Sequence, residues 1–536
     1  MFPSSLFLYF GPLLVHCANS SSLPTAKTLN GTYVGIWQNQ FDTEDFYGIP
    51  FAKAPRFDAA QSLTETWKGN REAVTKAPSC VGFGTNNQMG LDTSEDCLSH
   101  LWIYGRGFTQ GSINDPKMNT TYIVETSMKI HRPVILVSIN YRLSAMGWLY
   151  SIETQSQGAT NIGLRDQWKA LEWLKENIAG FGGDPDNVAI WGESAGAFSI
   201  GALILAYGGD NGGLFERVIM ASGTSFAAHG SLITAQGWTV YNDITNSTGC
   251  HYAIDSLQCL RDHDDVVRND PNFAFTHNPP LVAPVDMLLG CTTDDGMALP
   301  IGGQVDAPDT AFFTYILTPV LEFNDSMAAE ALAFWPEDAQ YPPYSEPMTL
   351  DWPALTATVN ITSGNQTRQF YGFVNDAVMH RGRRLTAQKW TEPTGRSVYS
   401  YRWDTDPSRT PLVLTPGLGV GFAEHGADLT FSLGIPEDYP QQYPISIPIP
   451  IVPAMRNVSY AMQVHWLAFA AVGNPNAHDV SWIPQWPAYT EQQTKNFVYN
   501  ATLQNVLNLH VEADDYRAAQ LQWVNERWRF VNSVGI

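Results

Sequence analysis

The chain has 536 residues, 44% of them hydrophobic, and a formal net charge of −22. That apolar content excludes disorder, and the acidic balance argues against a nucleic-acid partner or attraction to an anionic membrane. No Pro/Gly/Ser-rich linker, charge run or repeat cuts the sequence, so a single α/β domain is expected over 19–536.

In chain order, residues 1–18 come first. An apolar stretch at 6–15 leads to a small-residue exit at Ala18, as in a secretory signal peptide, although no Lys or Arg precedes it. At about ten residues it is too short for a membrane anchor, and no other run reaches spanning length. Nine N-x-S/T sequons, at Asn19, Asn30, Asn119, Asn246, Asn324, Asn360, Asn365, Asn457 and Asn500, fit a secreted, extracellular glycoprotein. Once Cys17 is removed with the signal, Cys80, Cys97, Cys250, Cys259 and Cys291 remain. Cys80–Cys97 and Cys250–Cys259 suggest themselves as short-range pairs that leave Cys291 free and buried. Four cysteines allow three pairings, and spacing does not choose between them.

Residues 101–112, LWIYGRGFTQGS, run from four large apolar residues into a glycine-punctuated loop. This pattern predicts a buried strand that delivers its end to a site, with Arg106 an unusual cation in the loop. Further on, Leu164, Trp168, Leu171, Leu174 and Ile178 share one helical face, and Gly180, Gly182, Gly183 and Pro185 end that helix. A short buried strand at 187–191 then enters Gly192-Glu193-Ser194-Ala195-Gly196, which is followed by an apolar helix over 197–206. The bare GxSxG motif says little in a glycine-rich chain. Between a strand and a helix it has the context of a nucleophile elbow, with Ser194 on a tight turn that its glycines make possible. The helix that follows directs its N-terminus at the site, where negative charge would develop.

A serine nucleophile needs a base, and the base an orienting acid. Twelve histidines and 52 acidic residues are too many to choose from unaided. Two stretches stand out by position: Met287-Leu288-Leu289-Gly290 leading into CTTDDG, and the glycine-rich loop GLGVGFAEHGADLTF around His425.

Together these stretches resemble the type-B carboxylesterase/lipase family, the cholinesterase-like branch of the α/β-hydrolase fold, with a flavour of its fungal secreted members. The resemblance rests on FYGIPFAKAPRF, SEDCL, GFTQGS, VSINYRLSAMGWL, DQWKALEWLKENIAGFGGDPDNVAIWGESAG, LFERVIMASG, TTDDG, EHGADLTF and VGNPN…WPAY. It implies a central, mostly parallel twisted sheet flanked by helices. It also implies Ser194 as nucleophile, His425 as general base and Asp295 as the acid, where the family usually has Glu, with Asp294 the neighbouring alternative. Backbone N–H groups of Arg106, Gly107 and Ala195 would form the oxyanion hole. Arg56 and Glu95 would form a structural ion pair, and the disulfides would be Cys80–Cys97, around a lid or gorge rim, and Cys250–Cys259. The implied activity is ester hydrolysis through an acyl-enzyme, with a small-molecule ester or lipid as substrate and no cofactor or metal. Only 16 residues separate Cys80 from Cys97, short for an interfacial lid, which points to short or medium acyl esters. Arg106 is expected to pair with Glu193 beside the nucleophile.

The chain departs from the family between SEDCL and WIY, where it is roughly twenty residues short, about a whole β-hairpin. It departs again around LVAPVDMLLGC and, less, in AKAPRF. Three readings fit: a gene model that lost coding segments, a decayed and catalytically impaired paralogue with a binding role, or a compact active esterase. The clean edges of the gaps favour the first. The sheet is therefore expected to lack a strand or hairpin after residue 98.

Overall fold

The computed structural model describes residues 23–82, 90–98, 100–101, 103–225, 233–262, 283–296, 325–335, 372–405, 423, 425–436 and 452–527. The signal segment and the sequons at Asn19, Asn324, Asn360 and Asn365 lie outside these residues, as do residues 83–89 of the loop enclosed by Cys80 and Cys97.

A six-stranded sheet organises the chain. Its strands are β3 (Ala189–Glu193), β4 (Arg217–Ala221), β5 (Asp286–Thr292), β6 (Val398–Trp403), β7 (Lys495–Ala501) and β8 (Leu507–Ala513), adjacent in that order. The first five run parallel and β8 pairs antiparallel with β7. Parallel strands are covered on both faces, and the burial of β5 and β6 follows: Met287–Thr292 and all of β6 are buried without alternation. Among the described residues, three helices pack on this sheet. Helix α2 (Ala195–Leu203) lies on β3 and β4, α3 (Arg381–Thr394) on β5 and β6, and α4 (Pro453–Val472) on β7 and β8. Every residue of α2 is buried, as its all-round apolar sequence predicts.

Helix α1 (Ile162–Asn177) ends in a 3₁₀ turn closed by Gly182 at φ 88°. Its buried face differs from the expected stripe. Leu171 and Leu174 are buried, but Leu164 and Trp168 are only half-buried, and Asp166 and Gln167 point inward. The reason is polar. Asp166 accepts from the guanidinium and the backbone N–H of Arg142, and Gln167 donates to Ser199 Oγ at 3.0 Å. These buried partners set the roll of the helix, and Trp168 is left to pack edge-on against Tyr207.

Beyond β3 the sheet thins. Strands β1 (His100–Leu101) and β2 (Ser138–Ile139) pair antiparallel over two residues, and Ile103 bridges Ile139 on one side and Gly192 on the other. The expected strand at 101–104 is thus reduced to a two-residue ladder and a single bridge. Leu98 is held by the Phe51 N–H at 3.2 Å and Gly105 is packed on the nucleophile turn, so only residues 99–104 span the gap between them. Val134-Ile135-Leu136-Val137, strand-like in composition, joins no ladder among the described residues. A cavity of about 560 Å³ opens beside it, lined by Phe46, Met118, Trp173 and Phe181 among others.

Cys80 and Cys97 form one disulfide and Cys250 and Cys259 another, while Cys291 is free and buried. No helix among the described residues is long and apolar enough to cross a membrane.

Candidate active site

Ser194 sits between β3 and α2 at φ 53°, ψ −122°. Both glycines of its motif are required by contact. A Cβ on Gly192 would lie 2.5 Å from the Gly196 carbonyl carbon, and a Cβ on Gly196 only 2.0 Å from the Ile103 carbonyl oxygen. The turn is pinned on both sides, because the Ser194 N–H donates to Ala221 O and its carbonyl accepts from the Phe198 N–H, each at 2.9 Å. Strain of this kind persists only where surrounding structure over-determines it.

The parallel register carries the other groups to the same edge. Glu193 pairs with Ala221, and Ala221 with Gly290, so the residues that leave β3, β4 and β5 emerge side by side. Asp295 follows β5, and its Oδ1 lies 2.5 Å from His425 Nδ1. His425 Nε2 lies 2.7 Å from Ser194 Oγ. The other Asp295 oxygen accepts from Ser222 Oγ at 2.8 Å and from the Thr292 N–H at 3.0 Å. Asp294 does different work. Its backbone N–H donates to Ala423 O, and its carboxylate accepts the Ala423 N–H at 3.1 Å, which fixes the loop that carries His425.

Burial disfavours a charged imidazole, but the Asp295 charge and hydrogen bond, with Glu193 and Asp428, outweigh it and lift the His425 pKa to about 9. Glu193 Oε1 is 3.4 Å from His425 Nε2, and burial pushes its carboxyl up. Asp428 is raised to about 7, first by burial, against the hydrogen bond from Tyr401 and with the charges of Asp295 and Glu193 adding to the rise. Tyr401 reaches Asp428 at 2.8 Å because Gly290 leaves room; a Cβ there would meet the Tyr401 ring at 2.1 Å.

Gly105 lies flush against Ser194, where an added Cβ would be 2.7 Å from the serine Cβ. Arg106 and Gly107 follow Gly105 directly in the chain, and Ala195 opens α2 directly after Ser194. The expected Arg106–Glu193 pair is not made. The guanidinium instead reaches Asp115 Oδ2 at 2.9 Å, because Asp115 comes back in the following turn as a buried anion. Arg56 and Glu95 pair through two hydrogen bonds, at a half-buried rather than a fully buried position.

Ser222, Asp428, Tyr401 and Asp115 have no place in the sequence reading. Ser222 had a signal: it is the serine of MASG, directly after a strand parallel to the one that leads into Ser194, so it had to emerge beside Ser194. The others depend on loop paths that carry no periodicity.

A serine at a strand–turn–helix elbow, backed by a partly exposed imidazole from a loop and a buried carboxylate that follows a parallel strand, is the arrangement of an α/β-hydrolase. The chain belongs to the carboxylesterase family, whose model matches residues 22–286 and 263–519. Its relatives include Lipase 2 of Geotrichum candidum, 33% identical over 51% of this chain and 57% of the relative. A secreted triacylglycerol lipase of Gibberella zeae is 35% identical over 44% of this chain and 47% of the relative. Carboxylesterase 1F of Mus musculus is 32% identical over 49% and 51%. The chain spans about half the length of the curated relatives it matches.

Proposed function

We propose that the protein is a secreted carboxylic ester hydrolase that works through Ser194, His425 and Asp295. The observation that carries this reading is the continuous hydrogen-bonded path from Asp295 through His425 to Ser194. His425 Nε2 takes the Ser194 proton as Oγ attacks the ester carbonyl carbon, while Asp295 holds the Nδ1–H and stabilises the imidazolium. The backbone N–H groups of Ala195, Arg106 and Gly107 receive the tetrahedral oxyanion. The alcohol departs with the proton from His425. Water, activated by the same histidine, then releases the acid and restores Ser194.

The signal-like residues 1–18 support secretion, as do the printed names of the secreted relatives. Of the sequons within the described residues, Asn246 and Asn457 are exposed. Residues from 19 on form one domain in this reading, supported by a buried apolar cluster that runs from Phe51 to Ala501. Short or medium acyl esters are the favoured substrates, on the strength of the short segment between Cys80 and Cys97.

A fluorophosphonate probe should label the wild type, and Ser194→Ala should take no label and lose roughly 10⁴–10⁶-fold in kcat. Folded wild type that takes no label and hydrolyses neither short- nor long-acyl esters would overturn the proposal and favour a non-catalytic binding role. Rates on the two acyl lengths, with and without an oil–water interface, separate esterase from lipase.

A further inference from the structure

The oxyanion loop has an unusual backbone. Arg106, Gly107 and Phe108 are consecutively left-handed, at φ 67°, 64° and 61°. Glycine adopts this region freely, but Arg and Phe do not. Each of the two non-glycine residues is tied down. Phe108 is buried against Trp148, with ring centroids 4.2 Å apart, and its carbonyl accepts the Ser144 N–H at 2.9 Å. Arg106 is tied through its guanidinium to Asp115.

Asp115 is itself a fixed post. It is 3% exposed, its N–H donates to Ser112 O, and its carbonyl accepts from the Met118 N–H. Ser112 Oγ is hydrogen-bonded to Ser79 Oγ at 2.6 Å, next to the Cys80–Cys97 disulfide, and Asn114 donates to Ala77 O. The anchor is therefore continuous with a cross-linked part of the chain.

We propose that the Arg106–Asp115 ion pair is a positioning device: it holds the left-handed turn in which the Arg106 and Gly107 N–H groups meet the developing oxyanion. The proposal rests on the hydrolase reading above. Arg106 then acts through its backbone, with its side chain as a tether rather than a substrate contact. Asp115 is a positioning residue that touches no reacting atom.

The test compares two variants that lose the same charge. Arg106→Ala loses the tether and keeps the reluctance of an L-residue towards positive φ, whereas Arg106→Gly loses the tether but accepts that φ. Arg106→Ala should lose about 10- to 100-fold in kcat with KM changed less than about threefold, because donor geometry matters mainly in the transition state. Arg106→Gly should retain at least about ten times the kcat of the alanine variant. Asp115→Asn should reproduce the alanine defect, and adding Arg106→Gly to it should recover part of the loss. If Asp115→Asn does not fold, the Ala–Gly comparison still decides. Equal kcat in the Ala and Gly variants, or a defect confined to KM, would overturn the proposal. Wild type that neither turns over esters nor labels at Ser194 would instead remove the hydrolase reading, and this proposal with it.

Discussion

The two sides of the sheet differ in how they are built. From β3 to β8, strands of five to seven residues pair in continuous register; β3 to β7 are almost wholly buried in their interiors, and the edge strand β8 is half-buried. On the other side of β3, pairing among the described residues is reduced to β1, β2 and the Ile103 bridge, next to an open cavity. Ser194 and Asp295 leave the ends of the well-built side, and His425 is clamped to it through Asp294. The donor loop at 105–108 leaves the thin side. In the proposed mechanism, the groups that move protons and the groups that receive negative charge therefore stand on foundations of unequal strength.

The largest expected effect lies on the strong side. Asp295→Asn should lower kcat by roughly 10³–10⁴-fold with the fold intact, since an amide no longer favours the productive tautomer or the imidazolium. Asp294→Asn should lose far less, because it holds the Ala423 backbone rather than His425. Steady-state kinetics on both variants checks the assignment, and equal losses would undo it.

Stability should show the same asymmetry. Leu288, fully buried in the middle of β5, should cost about 2–5 kcal/mol when replaced by alanine. Ile135, 46% exposed beside the cavity, should cost under about 1 kcal/mol in the same replacement. Urea unfolding of the two variants measures the contrast directly.

pH sharpens the comparison further. Protonated His425 cannot accept the Ser194 proton, so kcat/KM should rise about tenfold per unit towards a pKa of about 9 and level off above it. Stability should move the opposite way. His425 has a folded pKa above the unfolded value of about 6.5, so its contribution is complete below that value and is lost as pH climbs through about 9. Asp428, raised to about 7 from an unfolded value of about 3.9, loses its contribution over that lower window. A pH–rate profile beside melting temperatures at pH 5, 7 and 9 tests both signs. An optimum near pH 6 would contradict the first.

The elements that sequence made legible were those with a period or a motif. The elbow at Ser194, the strands around it and helix α1 follow from apolar spacing and glycine placement. His425 and Asp295 became visible only through family resemblance, since no periodicity marks a loop residue that arrives from 130 positions away. The choice between Asp294 and Asp295 was a matter of register: adjacent residues at a strand end face opposite ways, so one meets the histidine and the other the backbone of Ala423. Arg106 was paired with the wrong carboxylate because Glu193 is fixed by a strand and easily placed, whereas Asp115 returns through an irregular turn. The roll of α1 was misjudged for a similar reason, as buried Asp166 and Gln167 hold places that an apolar count gives to leucine and tryptophan.

The absent Cβ of Gly196 has one more consequence. The first turn of the nucleophile helix rests backbone to backbone on the Ile103 carbonyl, so the weakest part of the sheet is also the seat of the serine. Position 103 works like a set-screw. A longer connection spliced in after Leu98 could loop outward and fill the neighbouring hollow without disturbing chemistry, provided Ile103 stayed in its seat. A displacement of that one carbonyl by even an ångström would reach Ser194 directly.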